Sequence, residues 1–233
     1  MRNNKKKLTL IIPVYNEEKT LKKIISKALK KEFGLEKEII VVNDGSTDKS
    51  LNKIKEIKNK KIKIISYEKN KGKGYAIRKG IEISTGDIIA IQDADLEYNL
   101  NDLKKLVNTL IREDLNVIYG SRFLKKNNFY KKNSFYWGNR FLSLLTSLLY
   151  LKKITDMETC YKVFKKEVIK NLELKSDGFE IEPEITSKIL KKKYKIKEIP
   201  ISYRPRKKDE GKKIKWRDGF IALKILIKER IKK

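Results

Sequence analysis

The sequence predicts an α/β protein built on a mostly parallel sheet with helices on both faces. The first observation is that short apolar runs alternate with segments whose apolar residues recur every three or four positions. The second is that polar and acidic residues directly follow three of the apolar runs. Because ligands of parallel sheets bind beyond the carboxyl ends of the strands, these polar residues are expected to line one binding rim.

Four apolar runs of four to seven residues are predicted as strands. They cover residues 8–14, 38–42, 62–67 and 88–91. Helices are predicted between and after them: one after Asn16, one beginning at Asp48, one opened by the glycine-containing loop 70–80, and one over residues 100–111. A helix between two strands returns the chain to the same edge of the sheet, so parallel pairing is expected.

The first helix carries the clearest signals. Asn16 is expected to cap its N-terminus, with Glu17 and Glu18 in the first turn. Gly34 is expected to end it. Five apolar residues fall on one face at helical spacing: Leu21, Ile24, Ile25, Ala28 and Leu29.

The fourth strand leads directly into three acids. In IIAIQDADLEYN, residues 88–99, the acids Asp93, Asp95 and Glu97 stand at alternate positions, which point to one side of an extended chain. Such a cluster of hard oxygen ligands suits Mg²⁺ or Mn²⁺, with substrate phosphates filling the remaining positions. The acids therefore predict a metal-bound diphosphate. The alternative is a solvated turn that caps the helix at 100–111.

Composition removes several classes of site. The chain of 233 residues contains no histidine, which excludes histidine-based triads and histidine metal ligands. Its single cysteine, Cys160, excludes an internal disulfide and agrees with a reducing cytoplasm. The N-terminal apolar run is read as a first strand rather than a signal peptide, and no apolar stretch reaches the length of a membrane-spanning helix.

The formal net charge of +28 suggests an anionic partner. Only nine of the 58 basic residues are arginine, and the lysines are scattered rather than gathered in one stripe. Base-specific recognition relies on arginine, and no nucleic-acid-binding motif is present, so no nucleic-acid partner is expected. Solvated helix faces explain most of the charge, and an anionic membrane surface is the partner that remains.

Four segments of the first half, in this order and spacing, resemble the inverting family 2 glycosyltransferases. They are PVYNEE at 13–18, VVNDGSTD at 41–48, NKGKGYAIRKG at 70–80 and DAD at 93–95. The later motifs resemble the branch of dolichyl-phosphate mannose or glucose synthases, which act on polyprenyl phosphates. They are GSRF at 120–123, DMETCYKVF at 156–164, FEIEPEI at 179–185 and YRPRKKDEGKKIKW at 203–216. The resemblance implies a GT-A fold, which is Rossmann-like, and a nucleotide-sugar donor.

The resemblance also implies roles at the donor end of the site. The nucleotide would contact Pro13, Tyr15, Glu17, Asp44, Lys73, Asp93 and Ala94. Glu17 would hold a ribose hydroxyl and Asp44 would bind the base, although Asp44 could equally be a turn residue that bonds nearby backbone. The Mg²⁺ or Mn²⁺ ion would be held by Asp93, Asp95 and Glu97.

At the acceptor end, the resemblance implies Asp95, Asp156 and Arg122 as catalytic residues. Asp156 would orient a cation or a sugar hydroxyl, or act as a base toward a neutral alcohol. Either Glu180 or Glu182 would lie near the donor sugar, or both would only complement a helix dipole. Cations would bind the acceptor phosphate and the diphosphate: Arg122, Arg140, Arg204, Arg206, Lys212 and Lys213.

Domain boundaries are expected at 1–215 for the glycosyltransferase domain and 216–233 for a basic amphipathic tail helix. Within the first, 1–118 would bind the nucleotide sugar and 119–215 the acceptor. The apolar segment 141–151 and the tail both suit the headgroup plane of a membrane, although either could instead pack within the fold.

The predicted activity is metal-dependent transfer of mannose or glucose, from a GDP- or UDP-linked donor, to a polyprenyl (dolichyl) phosphate. The expected location is peripheral, at the cytoplasmic face of an anionic membrane, and the resemblance allows for a membrane-anchoring subunit as a partner. The alternatives are a family 2 enzyme acting on a polysaccharide, glycan or protein, and a non-catalytic basic protein that binds nucleic acid.

Overall fold

The computed structural model describes residues 6–125, 134–206 and 216–232, and seven strands in them form one sheet. The strands are β1 (Lys7–Val14), β2 (Glu36–Asp44), β3 (Ile62–Tyr67), β4 (Ile88–Ile91), β5 (Val117–Ser121), β6 (Lys162–Lys165) and β7 (Ile196–Pro200). Their order across the sheet is β3-β2-β1-β4-β6-β5-β7. Strand β6 runs antiparallel to β4 and β5, and the other neighbours pair in parallel.

Helices cover both faces of this sheet. They are α1 (Leu21–Lys30), α2 (Ser50–Lys55), α3 (Lys73–Ile83), α4 (Leu100–Arg112), α5 (Ser134–Tyr150), α6 (Lys166–Lys170), α7 (Ile181–Lys191) and α8 (Trp216–Ile231). On β2, Ile39 and Val41 belong to the main core together with α1, whereas Ile40 and Val42 pack with Ala76 of α3. Successive strand side chains point to opposite faces, so α1 and α3 lie on opposite sides. The predicted α/β class is confirmed.

The expected cap of α1 is wrong. Asn16 adopts a positive φ of 49° and accepts a hydrogen bond from the backbone N–H of Thr47 at 2.8 Å through Oδ1. Its side chain therefore joins the β1 and β2 loops rather than the helix. Helix α1 begins at Leu21 and ends at Lys30, before Gly34. Four residues of the predicted apolar face are buried in the main core, and Leu29 is partly buried against it.

The acids after β4 are not on an extended strand, which corrects the expected alternation. Strand β4 ends at Ile91, and the chain turns at 94–96, with Leu96 at φ 65°. The backbone N–H of Glu97 donates to Asp95 Oδ1 at 3.0 Å, which closes the turn. Helix α4 is capped separately, by the Asn99 side chain. We call residues 93–97 the acid turn.

A second, smaller core lies between α5, α7 and α8. Its buried residues are Leu142, Ile154, Met157, Leu190, Ala222 and Leu226. The tail helix α8 therefore packs against the fold with one face. Across residues 6–125, 134–206 and 216–232, each helix is too short or too polar to cross a bilayer.

Candidate active site

A cavity of about 590 Å³ opens at the carboxyl ends of β1, β2 and β4. All of the residues predicted to bind the nucleotide line it: Pro13, Tyr15, Glu17, Asp44, Lys73, Asp93 and Ala94. Because these three strands are parallel neighbours, the loops that follow them meet at one edge of the sheet. The sheet thus brings residues 80 positions apart in the chain into one site.

Asp44 organises the loop that opens α3. Its buried carboxylate accepts hydrogen bonds from the backbone N–H groups of Gly72 at 2.7 Å and Lys71 at 2.9 Å, and from the Asn70 side chain at 2.9 Å. Gly72 has a φ of 108°, and a Cβ there would collide with the backbone of Asp177. The glycine is therefore required, and Asp44 holds a neighbouring loop rather than its own turn.

Two cations neutralise the acid turn from opposite sides. Lys73 pairs with Asp93 at 2.9 Å. Arg206 donates to both oxygens of Glu17 at 3.1 Å and to Asp95 Oδ2 at 3.3 Å, and its backbone N–H donates to Glu97 at 2.6 Å. The segment at 203–206 thus lies across the acid turn, and Glu17 faces a guanidinium within the cavity.

The surroundings of Asp93 and Asp95 shift the pKa values of these two acids in opposite directions. Burial raises the pKa of Asp95 to about 8, and the charges of Asp93 and Glu97 add to this effect, against the opposing charge of Arg206. Burial would also raise the pKa of Asp93, but Lys73 outweighs it and the pKa is lowered. An added cation would relieve the repulsion around Asp95.

The donor set fits a hard divalent ion with one or two protein carboxylates. In the part of the chain that the structure describes, no three acidic, cysteine or histidine side chains form a metal-binding group. Asp93 faces Lys73, while Asp95 and Glu97 face Arg206. Substrate oxygens would therefore complete the coordination, and the three-carboxylate site stays a prediction.

Alternating charges connect the acid turn to the loop at 156–160. Lys73 pairs with Asp93 and with Glu182 at 3.2 Å. Glu182 pairs in turn with the fully buried Lys162, whose ammonium donates to the carbonyl oxygens of Met157 at 2.9 Å and Thr159 at 2.6 Å. We call this the buried charge chain. Burial would lower the pKa of Lys73, but Asp93 and Glu182 raise it well above its ordinary value.

Arg122 and Asp156 form a buried pair at the other end of the cavity. Asp156 Oδ2 accepts from the backbone N–H and Nε of Arg122, both at 2.8 Å, and Oδ1 accepts from its second guanidinium nitrogen at 2.7 Å. Glu198 fixes this loop by accepting from the backbone N–H groups of Thr155 and Asp156. Asp156 is therefore placed to orient Arg122.

The remaining predicted cations are not gathered in this cavity. Arg206 and Arg122 line it, whereas Arg140 is exposed, with its guanidinium 5.3 Å from the centre of the Phe123 ring. Arg204 is also exposed and lines a neighbouring groove. Lys212 and Lys213 lie outside the described residues. The side chain of Glu180, which was predicted to lie near the donor sugar or to complement a helix dipole, accepts a hydrogen bond from the backbone N–H of Gly178.

Sequence reasoning missed Glu158, Lys162 and Phe179. Glu158 and Phe179 line the main cavity, and together with Arg122 they also line a smaller cavity of about 220 Å³. That smaller cavity lies between α5 and α8 and is bordered by side chains such as Leu142 and Trp216. The available signal for Glu158 was an acid two positions after Asp156 in a loop, and nothing in the pattern marked Lys162 as buried.

Comparison with known proteins gives a consistent family. Residues 9–173 match the family described as glycosyl transferase family 2. The dolichol-phosphate mannosyltransferase of Pyrococcus furiosus is 31% identical over 88% of this chain, which spans 59% of that protein's length. The UDP-N-acetylglucosamine–dolichyl-phosphate N-acetylglucosaminyltransferase of Methanococcus voltae is 31% identical over 84% of this chain and 85% of its own length.

Among solved structures, the fold is similar to that of glucosyl-3-phosphoglycerate synthase from Mycobacterium tuberculosis, in complex with Mn²⁺, UDP and phosphoglyceric acid. The TM-score is 0.74 at 18% identity, covering 97% of this chain and 79% of that one. The same synthase was also crystallised with Mg²⁺ and UDP. At this identity the likeness establishes the GT-A-like fold.

Proposed function

Because this chain belongs to glycosyl transferase family 2, we propose that it transfers mannose or glucose, with inversion, from a GDP- or UDP-linked donor to a polyprenyl (dolichyl) phosphate. The transferase activity follows from the family. The sugar, the nucleotide and the lipid acceptor are the proposal, and two relatives whose names include dolichol or dolichyl phosphate support it.

The observation that carries the acceptor proposal is the pair of cavities that share Arg122, Glu158 and Phe179. The larger cavity is lined by carboxylates and cations, which suits a nucleotide sugar. The smaller cavity lies between two helices and is largely apolar, which suits the first part of a prenyl chain. A lipid phosphate placed at the shared wall would meet the guanidinium of Arg122 with its chain in the smaller cavity.

The donor would occupy the larger cavity along the β1, β2 and β4 loops. Tyr15 and Pro13 offer apolar contacts to the nucleoside, and Asp44 with its ordered loop borders the same space. Lys73 lies beside Asp93, where it can neutralise phosphate charge. Glu17 would reach a ribose hydroxyl only when Arg206 yields one of its contacts, since both Glu17 oxygens face that guanidinium.

Asp95 and Glu97, with Asp93, would hold the Mg²⁺ or Mn²⁺ ion. When bound, that ion supplies positive charge to stabilise the nucleoside diphosphate as it leaves. The chain's own cations add to this stabilisation. Arg206 and Lys73 lie on either side of the acid turn, so both can face the charge that develops on the diphosphate.

The acceptor needs orientation more than activation. A phosphate monoester is already anionic near neutral pH, and it can attack the anomeric carbon without a strong base. Arg122 is held by Asp156 in one orientation, and a guanidinium fixed in this way suits phosphate. Arg140 and Arg204 would attract the anionic headgroup from outside the main cavity, and the predicted contribution of Lys212 and Lys213 stays a prediction.

The exposed faces of α5 and α8 support contact with a membrane. Large apolar side chains stand on them at helical spacing: Trp137, Phe141, Leu144 and Leu148 on α5, and Trp216, Phe220, Ile227 and Ile231 on α8. We call these residues the apolar surface. Basic residues of α8 lie among them, so an anionic bilayer is the complementary partner. The proposed location is the cytoplasmic face of the membrane, alone or with an anchoring subunit.

A donor screen tests the proposed function. Purified protein is incubated with polyprenyl phosphate, Mg²⁺ or Mn²⁺, and each of UDP-glucose, GDP-mannose and UDP-N-acetylglucosamine. One donor is expected to give a lipid-linked monosaccharide that chelator abolishes. Transfer to a soluble glycan or protein but not to the lipid would replace the proposed acceptor and leave the family activity intact.

A further inference from the structure

Asp156 is engaged by Arg122 and lines neither of the two cavities. Both of its carboxylate oxygens accept hydrogen bonds from Arg122, and the side chain is fully buried. A carboxylate bound in this way is a counter-ion that fixes the guanidinium. The acidic group that meets the acceptor must therefore be sought elsewhere in the loop.

Glu158 is the carboxyl that remains available. Its Oε1 is shielded from solvent and has no hydrogen-bond partner among the described residues. The side chain belongs to the wall between the two cavities, together with Arg122 and Phe179. An unpaired buried oxygen costs free energy, so its position at a substrate wall indicates a ligand that pairs with it.

The charges around Glu158 are already committed to each other. Lys162 of β6 pairs with Glu182 of α7, and Arg122 pairs with Asp156. Burial raises the pKa of Glu158 to about 7, because the attraction of Lys162 and Arg122 is opposed by Glu182 and Asp156. The carboxyl is therefore largely neutral below neutral pH and ionised above it.

We propose that Glu158, as a neutral carboxyl, donates a hydrogen bond to the acceptor phosphate bound at Arg122, and that it repels this phosphate once ionised. This inference rests on the proposed lipid-phosphate acceptor. It makes Glu158 a binding residue that senses proton concentration, with Arg122 supplying the charge and Glu158 the neutral donor. A phosphate oxygen would then occupy the place facing the unpaired Oε1.

The test compares wild-type protein with Glu158→Gln and Glu158→Ala, using a short, water-soluble prenyl phosphate. Gln keeps a neutral N–H donor at every pH, whereas Ala removes the donor. In the wild type, the apparent KM for the acceptor is expected to rise at least tenfold from pH 6.5 to pH 8.5, since the neutral fraction falls about tenfold per unit above its pKa. The acceptor phosphate itself also ionises over this range, and this affects both proteins equally. The ratio of the wild-type KM to the Glu158→Gln KM therefore reports the ionisation of Glu158 alone.

Two further readouts and one control variant accompany the acceptor KM. Glu158→Gln is expected to transfer sugar with an acceptor KM that lacks this rise. Glu158→Ala is expected to have an acceptor KM above that of wild type at pH 6.5, where it lacks the donor, and no higher than that of wild type at pH 8.5, where it lacks the repelling charge. The donor KM, and the affinity for the nucleoside diphosphate (UDP or GDP) of the donor that the screen identifies, measured by calorimetry, are expected to stay within about twofold in both variants, which also verifies folding. Glu167→Gln makes the same chemical change on the exposed side of α6 and should behave as wild type.

The outcomes separate this inference from the proposed function. A wild-type to Gln ratio that is constant with pH would overturn the inference, as would an acceptor KM in Glu158→Ala that equals that of wild type at pH 6.5. Loss of all transfer in Glu158→Gln, with binding of the donor's nucleoside diphosphate intact, would make Glu158 a base and also overturn the inference. If the wild type transfers no sugar to any prenyl phosphate, the proposed function fails first, and the inference fails with it.

Discussion

Arg206 contacts the carboxylates of Glu17, Asp95 and Glu97 through one guanidinium. Burial would lower its pKa, but these acids raise it further, so the residue stays charged. A single cation thus allows three acids to share a small volume. The same placement means that a phosphate entering the cavity meets Arg206 already desolvated and oriented, which favours binding over a mobile lysine.

Asp95 is expected to be needed for catalysis but not for folding. Asp95→Asn keeps the side-chain shape and removes the charge, so transfer in saturating Mg²⁺ or Mn²⁺ should fall at least about 100-fold. Because the pKa of Asp95 is raised to about 8, the folded protein near pH 7 already favours its neutral form, and a neutral isostere should not lower the melting temperature. Initial rates and thermal melts measure the two effects.

Asp114→Asn is the matched control, because it makes the same change at an exposed residue far along the chain from the acid turn. Metal-dependent turnover that persists in Asp95→Asn would remove this residue from the metal site. A large loss of thermal stability would show that its main role is structural.

Individual residue roles were only partly predictable. The acids could be placed on the rim because strand ends meet there, whereas the role of Arg122 came only from the family resemblance. Asn16 shows the limit of local patterns. Asparagine favours helix caps, but here the side chain instead accepts a hydrogen bond from the backbone N–H of Thr47, 31 residues away. Glu158 was overlooked for a related reason, since only the three-dimensional pairing of Asp156 with Arg122 reveals which acid of that loop is unpaired.

At the scale of elements, Glu38 joins β2 to its neighbours at the end of the sheet opposite the cavity. Its carboxylate accepts from Thr9 of β1 at 2.6 Å and from the backbone N–H of Thr85 at 2.6 Å, and Lys63 of β3 lies at 2.9 Å. Burial would raise the pKa of Glu38, but these donors outweigh burial and lower it to about 2.

Glu38→Gln should therefore destabilise the fold in a pH-dependent way. The folded pKa lies below the unfolded value near 4.5, so the stabilisation is present above pH 4.5 and is lost as pH falls toward 2. At pH 7 the free energy of unfolding should drop by on the order of 3 kcal/mol. Urea unfolding between pH 7 and pH 2.5 should show the difference from wild type shrinking over that window.

Glu36→Gln on the same strand is the control, since that side chain is largely exposed and its loss should change stability by less than about 0.5 kcal/mol. A Glu38 effect of equal size at every pH would mean that shape, not charge, accounts for it.

Element types were predictable where the apolar pattern was strong. The strands expected at 62–67 and 88–91 match β3 and β4 residue for residue, and the other two in the first half differ by one or two residues at their ends. The turn at 93–97 was not predicted, because acids at alternate positions resemble the pattern of a strand. In the structure the strand has already ended at Ile91. Strand β6 was not predicted, because it begins with Lys162 and lysine is rarely buried. The antiparallel pairing of β6 with β4 depends on a distant strand, which no local pattern specifies.

At the scale of the whole molecule, the apolar surface and the net charge of +28 both suit the proposed contact with an anionic bilayer. Phe141 and Phe220 are 57% and 65% exposed, so the fold gains little from them. Insertion of each ring into a bilayer interface would contribute roughly 1–2 kcal/mol, at about 25 cal/mol per Å². The doubly substituted Phe141→Asp, Phe220→Asp protein should therefore bind anionic vesicles at least about tenfold more weakly.

Vesicle sedimentation measures this binding, and circular dichroism verifies the fold. Transfer to a vesicle-embedded polyprenyl phosphate should fall with binding, while transfer to a short, water-soluble prenyl phosphate should be nearly unchanged. Ile83→Asp, at the end of α3, is the control for adding a charge at a partly exposed apolar position. Equal losses with both acceptors would place α5 and α8 in the catalytic fold rather than at a membrane.

The buried charge chain links the proposed donor site to the proposed acceptor site. It runs from Asp93 through Lys73 and Glu182 to Lys162, which holds the carbonyl groups on either side of Glu158. A donor that draws Lys73 toward its phosphates changes the charge that Glu182 experiences, and so the hold on the Glu158 loop. If the proposed donor and acceptor bind as described, their binding is expected to be coupled, and thermodynamic reciprocity requires that each change the affinity for the other by the same factor.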